Sequence, residues 1–264
     1  MKEYLSSFMD TLNFPDDAKQ VFLNVDTLFD DHPEYCIKMR TIMDKFNSSL
    51  EEDSSNTFLD DLNLLAIDMS VNPYTMHLLF YMYGSKELMD KYKKAGISLD
   101  IFWNSMLDLR CKLYECFNVY GVWGTFTGGW FIGFYKMERF GLGRLQYERV
   151  TFPYEHYTKD GSTIRKGDIV YNTHIPSSGP LTKDSRIDSY KRAYEFFMYE
   201  LKGRPLTVVC HSWLLYPDNE KFFPNRSNII DFMHDFDVID HKVNNDSAPS
   251  WRVFGKDYKK PLNE

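Results

Sequence analysis

The first 120 residues carry apolar positions at the three- and four-residue spacing of amphipathic helices. Stripes of this kind run over residues 15–29, 33–46 and 57–70. The segment YTMHLLFYMY, which follows the breaker Asn72-Pro73, is apolar on nearly all sides. A helix that is apolar all round is buried, so we expect this segment at the centre of a bundle.

Two further helices complete the predicted bundle. Ser85 is expected to open a short helix that ends at Ala95-Gly96, since glycine is favoured just past a helix end. A longer stripe from Ser98 to about Tyr120 contains neither glycine nor proline and predicts the longest helix. Residues 1–120 are therefore interpreted as a helical domain.

The pattern changes at Gly121, where a segment rich in glycine and aromatic residues begins. We interpret residues 121–142 as the junction between two domains. Within it, WFIGFYKMERF fits a helix and a strand equally well. No Ser/Pro-rich linker follows.

After Gly143 the chain is mostly β in character. GRLQYERVTFPYEHY is rich in aromatic and branched residues and predicts a strand. Asp160-Gly161 is typical of a hairpin turn, because the turn needs positive φ angles. A second turn at Gly167 leads into the strand IVYNTHI.

The remainder predicts a strand–helix–strand crossover. HIPSSGPLT connects the strand ending at His174 to a helix over about 182–201, and LTVVCHSWLLY is an apolar strand candidate after it. A parallel pair of strands around that helix is implied. The helix IIDFMHDF and short strands near 238–243 and 251–255 follow, so residues 143–264 are expected to form one mixed domain and the fold class is α+β.

Composition excludes some partners. The net charge of −7 gives no sequence-independent attraction to nucleic acid. The longest apolar run is far shorter than the roughly 20 residues that a membrane-spanning helix needs. Four scattered cysteines without a CxxC pair favour reduced thiols and a cytoplasmic protein.

The turn HIPSSGPLT has the chemistry of an anion site. Amides at the start of the next helix and its dipole favour a negative group, and Gly179 allows a close backbone approach. Ser177 and Ser178 add hydroxyl donors, and Thr182 or Ser178 is a candidate cap. Positive charge along the same helix comes from Lys183, Arg186 and Lys191. An ordinary strand–helix connection remains the alternative.

GRLQYE, HIPSSGPLT and VCHSWLLYP, in this order and spacing, resemble a bacterial group of GNAT-like acyltransferases with a helical N-terminal domain. The resemblance implies a GNAT-like C-terminal domain that transfers an acyl group from acyl-CoA, with no tightly bound cofactor. HIPSSGPL stands where the common Gln/Arg-x-x-Gly-x-Gly/Ala signature would be expected to hold the coenzyme pyrophosphate. The implied contacts to coenzyme A come from Pro176, Ser177, Ser178, Gly179, Leu181, Thr182 and Trp213.

Three residues are candidates for acid–base catalysis. Glu148 is expected in the middle of a strand, as a base whose pKa is raised by burial or, alternatively, as the partner of an arginine across strands. His174 ends a strand at the edge where functional residues are common. His211 lies in an otherwise apolar strand and needs a partner there.

Other readings stay open. Cys210 or Ser212 could serve a hydrolase, although GxSxG is absent, and His174, His211 and Glu148 could hold a metal, although no metal-binding spacing is present. The chain could also be a catalytically degenerate module that binds an acyl or nucleotide ligand. The favoured reading is N-acyl transfer from acyl-CoA to a small-molecule or peptide acceptor.

Overall fold

The computed structural model describes residues 2–52, 57–224, 226–242 and 250–259. Within these ranges the chain forms two compact units. One contains residues 2–137 and 250–259 and is helical, and the other contains residues 138–242 and holds the sheet. The predicted α+β class is confirmed.

The helical unit is a bundle of six principal helices within the described residues. Their bounds are α1 Lys2–Thr11, α2 Asp16–Asp31, α3 Pro33–Glu52, α4 Thr57–Asp68, α5 Pro73–Lys94 and α6 Leu99–Tyr120. A 3₁₀ turn at Gly128–Phe131 and the short α7 at Ile132–Tyr135 follow. The breaker at Asn72 and the predicted start at Ser98 are confirmed, because each side chain caps its helix by accepting from the amide two residues on.

Helix α5 lies in the core of the bundle, as its apolar sequence predicts. Every residue from Thr75 to Met82 is buried, so no face of this part of the helix is left to solvent. The separate short helix expected from Ser85 is wrong, because α5 continues through it without a break. A Cβ at Gly84 would lie 3.0 Å from Tyr135 Cε1, so this glycine permits close packing inside the helix.

The sheet unit contains one mixed sheet and one hairpin. The strands are β1 Arg139–Leu142, β2 Leu145–Thr151, β3 His156–Lys159, β4 Ser162–Arg165, β5 Ile169–His174 and β6 Val208–Val209. The four-stranded sheet has the order β1-β2-β5-β6, and β3 pairs with β4. The hairpin predicted at Asp160-Gly161 is confirmed by the register Lys159↔Ser162.

The predicted crossover is also confirmed. Strands β5 and β6 are parallel, and helix α8 at Lys183–Leu201 connects them. Thr182 is the cap of α8, since its hydroxyl accepts from the Ser185 amide at 3.3 Å. The helix therefore begins where the turn HIPSSGPLT ends.

Of the last three strand predictions, one is confirmed over two residues only and two are wrong. The apolar stretch LTVVCHSWLLY contributes only Val208–Val209, because the Ser212 hydroxyl accepts from the Leu214 amide and opens a 3₁₀ turn at Trp213–Leu215. A second 3₁₀ turn, Pro217–Lys221, precedes α9 at Asn228–Met233. Residues 238–242 form no strand, and residue 243 lies outside the described residues.

The segment near Trp251, predicted as a strand, is helix α10 at Ser250–Phe254, followed by a 3₁₀ turn at Gly255–Asp257. Trp251 packs edge-on against Phe126 with ring centroids 4.9 Å apart, and the Tyr258 and Tyr120 hydroxyls lie 3.1 Å apart. Residues 250–259 therefore pack with the helical unit. The proposed domain extents of 1–120, 121–142 and 143–264 stay a prediction.

Across the described ranges, none of the helices combines the length and the apolarity needed to cross a lipid bilayer.

Candidate active site

Three neighbouring strands bring a charged cluster to one face of the sheet. Glu148 on β2 is the register partner of Arg139 on β1 and of Asn172 on β5, while His174 stands opposite Gln146. Side chains two residues apart on a strand share a face. Glu148 therefore lies in direct reach of Arg139 and, on the diagonal, of His174.

The Glu148 carboxylate divides its two oxygens between these neighbours. Oε1 lies 2.8 Å from Nε2 of His174 and accepts from Asn172 Nδ2 at 3.2 Å. Oε2 accepts from Arg139 Nε at 2.9 Å and from Arg139 Nη2 at 2.6 Å. All four side chains are at least half buried, so the cluster is ordered by its own hydrogen bonds.

The expected raised pKa of Glu148 is wrong. Burial alone would raise it, but the hydrogen bond from His174 and the positive charge of Arg139 outweigh burial and lower the pKa to about 2. The salt bridge with an arginine, the alternative reading of the sequence, is what the strands form. An ionised carboxylate of this kind is a weak base.

Ionisation of Glu148 also decides the tautomer of His174. A carboxylate without a proton can only accept, so we assign a ring proton to Nε2 of His174. The Asn172 side-chain nitrogen lies 3.2 Å from Glu148 Oε1 and 3.3 Å from His174 Nε2, so it is next to both members of the pair. Glu148 thus orients the imidazole through Nε2, so Nδ1 is the ring nitrogen that does not face the carboxylate.

Arg144 binds the turn that follows His174. Its guanidinium donates to the carbonyls of Pro176 at 2.9 Å, Gly179 at 2.7 Å and Pro180 at 3.1 Å. Three donors in a planar group fix the path of the turn. Arg144 lies within the segment GRLQYE, whose local pattern does not indicate this role.

The predicted coenzyme contacts are distributed over this turn. Gly179 has a φ of +126°, which side chains disfavour, and a Cβ built there would meet nothing within 4 Å. Ser177 is exposed and Ser178 half-buried, while Pro176 and Leu181 are buried. The turn is therefore open on the side of Gly179 and Ser177.

Arg186 does not contribute positive charge to the turn, contrary to expectation. Its side chain is 2% exposed and forms two hydrogen bonds to Asp235, at 2.7 and 3.2 Å. It also donates to the Leu181 carbonyl at 3.0 Å. The exposed cations on α8 are Lys183 near the turn and, farther along, Lys191 and Arg192, the last paired with Asp188.

The parallel strands separate next to His174. Their register extends from Tyr171↔Val208 to Asn172↔Val209, and β5 then continues to His174 while paired with β2. The pairing of the two strands therefore ends at Asn172↔Val209, two residues before the end of β5. Cys210 and His211 follow β6 along the chain.

The other residues predicted to act in the site, which follow β6, do not join the Glu148–His174 cluster. His211 is exposed and does not share the hydrogen bonds that join Glu148 to His174. Burial raises the pKa of the Cys210 thiol to about 12, so it stays protonated near neutral pH. Ser212 and Trp213 begin the 3₁₀ turn, and the Ser212 hydroxyl serves as its cap. The described residues contain no group of three metal-binding side chains.

Comparison with known families agrees with this architecture. A sequence model described as the N-acyltransferase N-terminal domain matches residues 3–137, and one described as the GNAT-like C-terminal domain matches residues 140–264. The chain belongs to this N-acyltransferase family. No curated protein sequence matches this N-acyltransferase significantly.

Solved structures share the fold of this N-acyltransferase. An acyltransferase in complex with decanoyl-CoA superimposes with a TM-score of 0.73 at 18% identity, over 97% of this chain and 76% of that chain. An acyltransferase in complex with decanoyl-CoA and teicoplanin gives 0.72 at 17% identity, over 94% of this chain and 75% of that chain. At these identities the likeness shows the fold.

Proposed function

We propose that this protein transfers an acyl group from acyl-CoA to an amine, with His174 as the general base. The observation that carries the proposal is the Glu148–His174 pair at the end of β5, where the β5–β6 register stops. A base at this position lies before the turn that leads to helix α8 and beyond the last paired residues of β5 and β6. Family membership supports the reaction class.

The turn is proposed to bind the diphosphate of the coenzyme. Its amides, together with the start of α8, supply hydrogen-bond donors and a positive dipole end for phosphate. The contacts are assigned to Pro176, Ser177, Ser178, Gly179, Leu181 and Thr182, with Trp213 across the opening. The pantetheine arm then runs between β5 and β6, where backbone groups are released from the ladder.

In the proposed reaction the amine nitrogen attacks the thioester carbon. A C–N bond forms, the C–S bond breaks, and one amine proton passes to Nδ1 of His174. The thiolate leaves and takes up a proton from the imidazolium, which gives free CoA and the amide. Glu148 stabilises the imidazolium, and Arg139 keeps Glu148 ionised. His211, predicted as an acid–base residue, is exposed, and we assign it here to contact with the acceptor instead.

The acceptor is proposed to be a small molecule or a peptide. The decanoyl-CoA and teicoplanin in the similar structures make a long acyl donor and a peptide acceptor the first pair to test. The four free thiols suit a reducing compartment. We therefore propose the bacterial cytoplasm as the location.

The test has two measurements. CoA, acetyl-CoA and decanoyl-CoA at millimolar concentration should each raise the melting temperature, because a ligand at 100 times its Kd adds about 2.7 kcal/mol to stability. Free thiol should then appear when acyl-CoA is mixed with a panel of amines. No stabilisation by any of the three would contradict the proposal, and binding without thiol release would favour a non-catalytic module.

A further inference from the structure

The outer side of helix α8 carries an apolar stripe that is open to solvent. Ile187, Tyr194 and Met198 are 39%, 43% and 45% exposed. Steps of seven and four residues place all three on one side of a helix. Ala193 and Phe197, on another side of α8, are buried. One exposed apolar side chain is ordinary, but three in line form a surface that suits a protein contact.

The stripe borders an open groove of about 310 Å³. The residues that line the groove are Ile187, Tyr190, Lys191, Tyr194 and Glu195. The Tyr190 hydroxyl donates to Asp235 Oδ2 at 3.0 Å, so this ring is a fixed wall of the groove. Tyrosine rings favour protein contacts, because they offer a large area and lose little side-chain freedom when a partner packs on them.

Within the described chain, two opposite charges in this groove have no ion-pair partner. Lys191 and Glu195 are exposed and lie one helical turn apart, yet they pair neither with each other nor with another described residue. Lysine before glutamate is the less favourable order for a pair within one helix. On the neighbouring face the acidic residue comes first, and Asp188 pairs with Arg192 at 2.6 Å. The two charges in the groove are therefore available to a partner.

The groove is complementary to itself. Lys191 and Glu195 lie equally far along α8 from position 193, which is midway between them. When two copies of α8 pack antiparallel about a two-fold axis at that level, Lys191 of each copy faces Glu195 of the other. Ile187 of each copy then lies next to Met198 of the other. One symmetry operation thus pairs both charges and covers the apolar stripe at both ends.

We propose that the groove on α8 is the contact surface of a homodimer, in which two α8 helices pack antiparallel and form reciprocal Lys191–Glu195 ion pairs. A partner with a single type of charge would satisfy one of these two side chains and repel the other. A second copy of the chain satisfies both. The inference is independent of the proposed acyl transfer, because the contact is formed by α8 alone.

The first test is the oligomeric state of the whole chain, measured by sedimentation velocity and light scattering up to high micromolar concentrations. A contact centred on one helix pair is small, so we expect a reversible, concentration-dependent monomer–dimer equilibrium. A wild-type protein that stays monomeric over the whole range would overturn the inference.

Charge reversal tests the two-fold geometry. Lys191→Glu and Glu195→Lys each bring like charges together at both contacts of the homodimer, so the dissociation constant should rise at least about tenfold. An equimolar mixture of the two variants has opposite charges at both contacts again, and it should form a heterodimer with about the wild-type affinity. Variants that each dimerise as strongly as wild type, or a mixture that stays monomeric, would contradict the antiparallel pairing.

Arg192→Glu is the matched control. It changes the net charge as much as Lys191→Glu does, one position along α8, but Arg192 lies on the face that pairs with Asp188. The dissociation constant should stay within about threefold of the wild-type value, because a distant exposed charge is screened by salt. Melting temperatures show that all three variants fold. A control that weakens the dimer as much as Lys191→Glu would overturn the inference, because net charge alone would then explain both effects.

Discussion

Glu148 on β2 binds His174 on β5, with Oε1 of Glu148 2.8 Å from Nε2 of His174. The register pairs His174 with Gln146 and Glu148 with Asn172, so the contact joins residues that are not direct partners. Arg139 binds the other carboxylate oxygen from β1. The imidazole is thus oriented by an ionised carboxylate whose charge is balanced by Arg139, and it is held through Nε2.

The lowered pKa of Glu148 makes stability depend on pH. Its folded-state pKa is about 2 against an ordinary 4.5, so its contribution is complete above pH 4.5 and is lost as the pH falls from 4.5 towards 2. Allowing for partial solvent screening, the contribution is on the order of 2 kcal/mol. Urea unfolding at pH 7 should therefore find Glu148→Gln less stable than wild type.

The same comparison repeated at lower pH gives the control. The difference between wild type and Glu148→Gln should shrink steadily between pH 5 and pH 3. A difference that stays constant over this range would mean that Glu148 is not the titrating group.

Loss of Arg144 should weaken coenzyme binding. Arg144→Ala removes three hydrogen bonds to the turn, so we expect the KM for acyl-CoA to rise about tenfold with a smaller change in kcat. Arg144→Lys should behave similarly, since an ammonium cannot replace the planar fork. Initial rates at varied acyl-CoA concentrations provide the measurement.

Arg149→Ala is the control for Arg144. Arg149 lies on β2 and pairs with Glu200 at 2.6 Å, where both side chains are largely exposed. Exposed ion pairs contribute little to the free energy of unfolding, about 0–1 kcal/mol. If Arg149→Ala raised the KM for acyl-CoA as much as Arg144→Ala, the effect would come from a general loss of positive charge. The hydrogen bonds of Arg144 to the turn would then not be its cause.

Cys210→Ala and Ser212→Ala should retain acyl transfer within about threefold of wild type. The Cys210 thiol is protonated near neutral pH, because burial raises its pKa to about 12. Ser212 caps a 3₁₀ turn, so its loss should lower stability by roughly 1 kcal/mol instead. Thiol release and thermal melting separate the two effects, and loss of activity in either variant would restore the hydrolase reading.

Local signals in the sequence predicted many of the elements. Asp160-Gly161, Asn72-Pro73 and Thr182 each determine a local geometry through their own backbone or side chain, and the structure places a turn, a helix start and a cap there. His174 was identified because a strand end before a helix is a local pattern. None of these inferences needed a distant residue.

The site cluster required long-range information. Arg139 lies in the aromatic junction segment whose secondary structure was ambiguous, so its pairing with Glu148 could not be assigned and burial alone suggested a raised pKa. The short β6 has a similar cause, since an apolar run does not reveal where a polar cap such as Ser212 ends the strand. Arg144 escaped notice because its role depends on carbonyls more than 30 residues away.

The most direct test of the proposed mechanism is single-turnover release of thiol by His174→Gln, at saturating acyl-CoA and amine. We expect a rate at least 100-fold below that of wild type, because general base catalysis of this kind contributes about 10²–10⁴-fold. The variant should still gain thermal stability from CoA, which shows that the coenzyme site is intact. A variant that binds CoA and releases thiol within threefold of the wild-type rate would contradict the assignment of His174 as the base.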